Sequence, residues 1–159
     1  KKWLILYSLN PMAGVVNASE PLPGLATSGQ PMPHHFEALK EAGLAAVIDI
    51  RDPMEPRPFD EPALVRELGM EYANVSVRQG ALDDAVMDAV LAQLRKHAHH
   101  PTLLHCASAN RVGGALIPWF IVEKGMSEDQ AVAAAMRVGL RAADLLEWGL
   151  DYARRKTGG

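Results

Sequence analysis

A single cysteine, Cys106, stands five positions before Arg111 in the segment His105-Cys106-Ala107-Ser108-Ala109-Asn110-Arg111. The apolar run Thr102-Leu103-Leu104 precedes it, and Val112-Gly113-Gly114-Ala115-Leu116 follows as the opening of a helix. The nucleophilic form of cysteine is the thiolate. The first N–H groups of a helix lack intrahelical partners and carry the positive end of its dipole. A loop curled over that end turns several N–H groups inward and cradles an oxyanion. Such a setting favours Cys106 as a thiolate. Arg111 closes the cradle with a planar fork matched to two oxygens of a phosphate-like group. Ala107, Ser108, Ala109 and Asn110 supply the backbone that would meet the ligand, and the small side chains let it come close. Asn110, which tolerates left-handed dihedrals, is placed to supply a tight bend. A cysteine behind an apolar strand is otherwise an inert small hydrophobe. The flanking His105 and Arg111 favour the nucleophile.

The surrounding pattern must hold that loop between a strand and a helix. Residues 20–33 are rich in Pro and Gly and read as a loop with at most a short strand near Leu25-Ala26-Thr27. Phe36 and Leu39 mark a helix that starts near Pro33 and stops at Gly43. Ala45 to Ile50 is a strand, apolar along most of its length, as in a sheet covered on both faces. Residues 51–62 carry four prolines and form a loop. Leu64, Val65 and Leu68 stripe a second helix ended by Gly69, and Tyr72 to Val77 alternates as a strand. Asp83 caps a helix whose apolar face runs through Val86, Met87, Val90, Leu91 and Leu94. After the cysteine loop only helices follow: 111–124, kinked at Pro118; one opened by the capping box Ser127-Glu128-Asp129-Gln130; and Arg141 to Arg155. Strands alternating with helices predict a three-layer α/β sandwich, with a mostly parallel sheet of four to five strands flanked by helices. In such sheets ligands bind at the carboxyl ends of the strands, where Cys106 falls.

The composition narrows the function classes. With 159 residues, 48% apolar and 22% charged, the chain suits one domain, placed at residues 20–156. A net charge of −3 gives no footprint for nucleic acid or an anionic membrane. One cysteine excludes an intrachain disulfide and a cysteine-rich metal site. Residues 1–19 form a separate N-terminal segment. Lys1-Lys2, the apolar Trp3 to Tyr7 and Val16-Asn17-Ala18 outline a secretory signal, although Asn10-Pro11 interrupts it. A short N-terminal strand fits the same residues, so the compartment is open between cytoplasm and periplasm.

The His-Cys…Arg loop after a strand and before helices resembles the cysteine-dependent protein tyrosine and dual-specificity phosphatase superfamily. Thr27-Ser28-Gly29-Gln30-Pro31, Val47-Ile48-Asp49-Ile50-Arg51, His105 to Arg111, and Gly125-Met126-Ser127 with its Ala-rich helix are similar to one bacterial branch. That branch is the beta-lactamase-hydrolase-like or phosphatase-like family, related to the phosphatase domain fused to NAD kinases. The resemblance spans about residues 20–156 and implies a tyrosine phosphatase-like fold, a phosphorylated substrate and no metal or cofactor. It implies that Cys106 attacks phosphorus to form a phosphocysteine that water hydrolyses. Arg111 would bind the equatorial oxygens, and His105 would tune the thiolate through backbone hydrogen bonds.

Three departures stand out. Four residues, not the usual five, separate Cys106 from Arg111. The bacterial branch shares this short loop but usually has glycine where Ala109 stands. Val112 follows the arginine where Ser or Thr commonly helps the thiolate leave, a task that would pass to Ser108. The superfamily protonates the leaving oxygen with an Asp on a loop after an earlier strand. Asp83 and Asp84 are the candidates, equally suited to opening a helix, with Asp52 as a third.

His97, His99 and His100 read as a solvated helix end rather than a metal site, and His34 and His35 as surface residues. Arg57 and Arg78 lie on loops that could face the site, solvated charges being the default. Two rivals remain at this point. One is a rhodanese-like sulfurtransferase carrying a persulfide on Cys106, which the short loop suits but the all-helical 111–156 does not. The other is a non-catalytic phosphate-binding module.

Overall fold

In a computed structural model, which describes residues 10–158, five strands form one sheet in the order β1-β2-β5-β3-β4. The strands are β1 (Ser19–Leu22), β2 (Leu25–Ser28), β3 (Ala46–Asp49), β4 (Glu71–Asn74) and β5 (Thr102–His105). β1 pairs antiparallel with β2, and all other pairs are parallel. Helices α1 (Pro33–Glu41) and α2 (Glu61–Glu67) cover one face. Helices α3 (Asp84–Lys96), α4 (Asn110–Pro118), α5 (Glu128–Val138) and α6 (Ala143–Thr157) cover the other. The predicted sandwich is therefore present.

Alternation along the central strands divides the core. In β3, Val47 packs with α1 and α2 while Ile48 packs with the opposite helices; in β5, Leu103 and Leu104 divide the same way. All four side chains are at most 1% exposed, so the two strands that carry the site are pinned from both faces. Asp83 and Ser127 cap their helices, as their spacing predicts. Pro118 does not simply kink one long helix: α4 ends there, and a π-helical turn, Trp119–Glu123, follows. Pro removes an N–H donor and crowds the preceding turn, which a widened turn relieves.

Two features depart from the sequence reading. β1 was not foreseen, because its four residues are only partly buried and lie among prolines. Residues 10–18, set apart from the domain by composition, pack on it: Met12 is 1% exposed in the α1–α2 core, and the Gly29 N–H donates to the Val16 carbonyl at 2.8 Å.

Behind the site, α4 crosses α6 backbone to backbone. A Cβ on Gly149 would stand 2.5 Å from the Gly114 carbonyl oxygen and 2.9 Å from Ile117 Cβ. Glycine alone permits this approach.

Candidate active site

The cysteine loop leaves the carboxyl end of β5 and enters α4. Its backbone is tied to the loop after β2: the Cys106 N–H donates to the Ser28 carbonyl at 3.3 Å, and the Gln30 N–H donates to the Ala107 carbonyl at 3.0 Å. Gly29 sits between them, where a Cβ would lie 2.1 Å from Val16 Cγ1 and 2.4 Å from the Ala107 oxygen. Asn17 adds a further tie, its side-chain amide donating to the Ser108 carbonyl at 2.8 Å. Cys106 is fully buried, and its Sγ accepts the Ala109 N–H at 3.2 Å. Ala109 reaches that position with φ of 73°, in the left-handed region. The tight bend thus falls on Ala109, not Asn110. Asn110 opens α4 and uses its side-chain oxygen to accept the N–H groups of Arg141 at 2.7 Å and Ala142 at 3.2 Å.

Arg111, on the first turn of α4, is held in place before any ligand arrives. Its Nη1 donates to Glu55 Oε2 at 2.6 Å and to the Val77 carbonyl at 3.2 Å, and its Nη2 donates to Glu55 Oε1 at 3.1 Å. This is the bidentate fork expected of an arginine–carboxylate pair. The Arg111 bond, followed by the Asp52 N–H and Arg51, outweighs partial burial and holds Glu55 down to about 2. Arg51 continues the network, donating from Nε to Glu55 Oε1 at 3.2 Å, from Nη1 to Gln30 Oε1 at 2.6 Å, and from Nη2 to the Pro56 carbonyl at 2.7 Å.

Below the loop lies a second pair. His105 Nε2 is 2.6 Å from Glu61 Oε2, and its Nδ1 is 3.2 Å from the Cys106 carbonyl. Both ring nitrogens face acceptors, so both act as donors. Burial opposes the charged ring, yet the Glu61 carboxylate, with Asp49 and the Cys106 carbonyl, raises His105 overall. Glu61 Oε1 accepts from Gln30 Nε2 at 2.7 Å, which joins the two networks.

Asp49, Glu61 and His105 bring potential ligand atoms within 4.8 Å of one another. Each is already engaged. Asp49 Oδ1 accepts the Arg51 N–H, and its Oδ2 accepts Arg57 Nη1 at 2.9 Å and the Tyr72 hydroxyl at 2.6 Å. The cluster is a hydrogen-bonded support for the sheet edge rather than an open coordination site.

Neither a protein-family model nor a curated protein matches the sequence. Solved structures do resemble it. The DUF442 protein of Shewanella putrefaciens CN-32 superposes with a TM-score of 0.79 at 20% identity, covering 93% of this chain and 98% of that one. The core catalytic domain of the PP-IP phosphatase SIW14 from S. cerevisiae gives 0.71 at 17% identity, covering 91% and 93%. TpbA from P. aeruginosa gives 0.66 at 22% identity, covering 88% and 84%. The chain has the tyrosine phosphatase-like fold.

Within this phosphatase fold the structure gathers Cys106, Ala107, Ser108, Ala109, Asn110 and Arg111 into one loop with His105 beneath. It engages the candidate acids elsewhere. Asp83 Oδ1 accepts the Val86 N–H at 2.8 Å as the cap of α3, and Asp84 pairs with Arg155 of α6. Both border a hollow lined by Gln79, Asp144 and Glu147, with no residue of the cysteine loop in its wall. Asp52 lies nearer by its bonds: its N–H donates to Glu55 Oε2, and its Oδ2 is 3.7 Å from Arg78. Arg57 is tied to Asp49 rather than turned to a ligand.

Two histidine readings are corrected. His97 is 4% exposed, because the α3 C-terminus packs it inward, and burial lowers its pKa. His35 is 5% exposed, accepting the Met32 N–H on Nδ1 and donating from Nε2 to the Ala13 carbonyl at 2.7 Å. Glu55, Glu61 and Gln30 were missed altogether. Gln30 could have been found, since it lies in the Gly-Gln-Pro segment of the resemblance.

Proposed function

We propose that this chain hydrolyses phosphomonoesters through a phosphocysteine formed on Cys106. The observation that carries the reading is the Sγ of Cys106 at the base of a short loop, accepting an inward amide, with the oriented guanidinium of Arg111 at the other end. Sγ attacks phosphorus, the bond to the leaving oxygen breaks, and that oxygen takes a proton from an acid. Water then attacks the phosphocysteine, breaking the P–S bond and releasing inorganic phosphate. Arg111 and the loop amides bind the phosphoryl oxygens as charge spreads over them. His105 holds the Cys106 carbonyl, and through it the loop, in register.

Of the three aspartates, Asp52 takes the acid role most readily, since it is bonded to the Glu55 that grips Arg111. The fold supports the reading through neighbours named as phosphatases, one of them captured with pTyr and one named for PP-IP. The sulfurtransferase alternative loses ground, because every element after β5 is helical.

The deciding assay compares hydrolysis of 4-nitrophenyl phosphate with sulfur transfer from thiosulfate to cyanide. The expected outcome is phosphate release by the wild type and none by Cys106→Ser. Sulfur transfer without phosphate release would overturn the reading. Asp52→Asn, Asp83→Asn and Asp84→Asn locate the acid, since only its loss removes the basic limb of the pH–rate profile.

A further inference from the structure

Arginines around the site are committed to acids: Arg51, Arg57, Arg78 and Arg111 each lie within 4.0 Å of a carboxylate. Arg141 is the exception beside the cysteine loop. Its only side-chain partner among the described residues is Ser108 Oγ, reached from Nη2 at a long 3.4 Å. Its side chain is exposed, but its backbone is fixed: Asn110 accepts both the Arg141 and Ala142 N–H groups. The preceding turn is fitted just as closely, because a Cβ on Gly139 would stand 3.0 Å from Ala109 Cβ. A guanidinium is thus mounted rigidly on the lip of the cradle, with its donors unspent.

The geometry points to Arg141 as a second anion contact, so that the preferred substrate is a small molecule carrying another phosphate beside the one held over Cys106. This rests on reading Cys106–Arg111 as a phosphate cradle. Arg111 already divides its fork between Glu55 and the cradle, so a second phosphate needs a second fork. Exchanging the long Ser108 contact for a charge-assisted one is favourable, because hydrogen bonds to ionised oxygens are shorter and stronger.

The test uses inorganic orthophosphate, pyrophosphate and tripolyphosphate as ligands of the purified chain, with calorimetric Kd values. The readout is the preference for the longer ions over orthophosphate. The wild type should prefer them by about tenfold, the worth of one charged hydrogen-bonding pair. Arg141→Ala should collapse the preference towards unity, and Arg141→Lys should keep part of it. Arg137→Ala removes an equal charge one helical turn earlier and should leave the preference intact. A preference that survives Arg141→Ala, or falls equally in Arg137→Ala, overturns the inference. Because the readout is binding, it stands apart from the phosphatase reading: chain-length preference without hydrolysis of 4-nitrophenyl phosphate would sink only the latter.

Discussion

Two loops leave neighbouring strands at the same sheet edge and are held in opposite ways. The cysteine loop after β5 is built from backbone, with main-chain bonds to Ser28 and Gln30 and one amide aimed at Sγ. The loop 51–60 after β3 is held by side chains: Arg51 to Glu55, Gln30 and the Pro56 carbonyl, and Arg57 to Asp49. A backbone-built loop tolerates side-chain change except at the atoms that do chemistry. A side-chain-built loop depends on each charge, and so on pH. Arg111 and Glu55 are where the two meet.

The contrast can be broken at its strong end first. Cys106→Ser should lower kcat/KM for 4-nitrophenyl phosphate by about a thousandfold or more in steady-state assays. Arg111→Ala should cost about a hundred- to a thousandfold, as for a donor to a developing oxyanion. Glu61→Gln comes next. Breaking the buried pair should destabilise the fold by about 3 kcal/mol in urea melts. His105 is raised above its ordinary 6.5. The wild-type advantage over Glu61→Gln should therefore be complete below about pH 6.5 and shrink as pH rises through the raised value.

Glu55→Gln should cost about tenfold in kcat/KM, since it loosens Arg111 without removing it. Glu55 is depressed from 4.5 to about 2, so its stabilising share is full above pH 4.5 and lost as pH falls towards 2. Melts of the two forms should converge over that window. The smallest effect sharpens the comparison: Ala109→Gly should stabilise the chain by about 1 kcal/mol, because only backbone strain is relieved. A destabilising result would show that packing of the Ala109 methyl outweighs the left-handed φ.

The same contrast explains what could be read beforehand. The cysteine loop is contiguous, so its residues and its place between a strand and a helix were legible, down to the misfit at Ala109. The periodic apolar faces of α1 and α3 were legible for the same local reason. Glu55 and Glu61 lie in a proline-rich stretch with no periodicity, and their partners are 56 and 44 residues away. Nothing local marks such pairing. Asp83 shows the converse: a residue type suited to both acid catalysis and helix capping was assigned to the loop by its spacing, and the fold uses it as a cap.

The crossing of Gly114 and Gly149 has a consequence for mutational surveys. One added methyl on α6, meeting no group that touches phosphate, would act as a wedge under the helix whose first turn aims Arg111. Position 149 should then score in activity screens like a residue of the cradle itself, a remote site whose damage is purely mechanical.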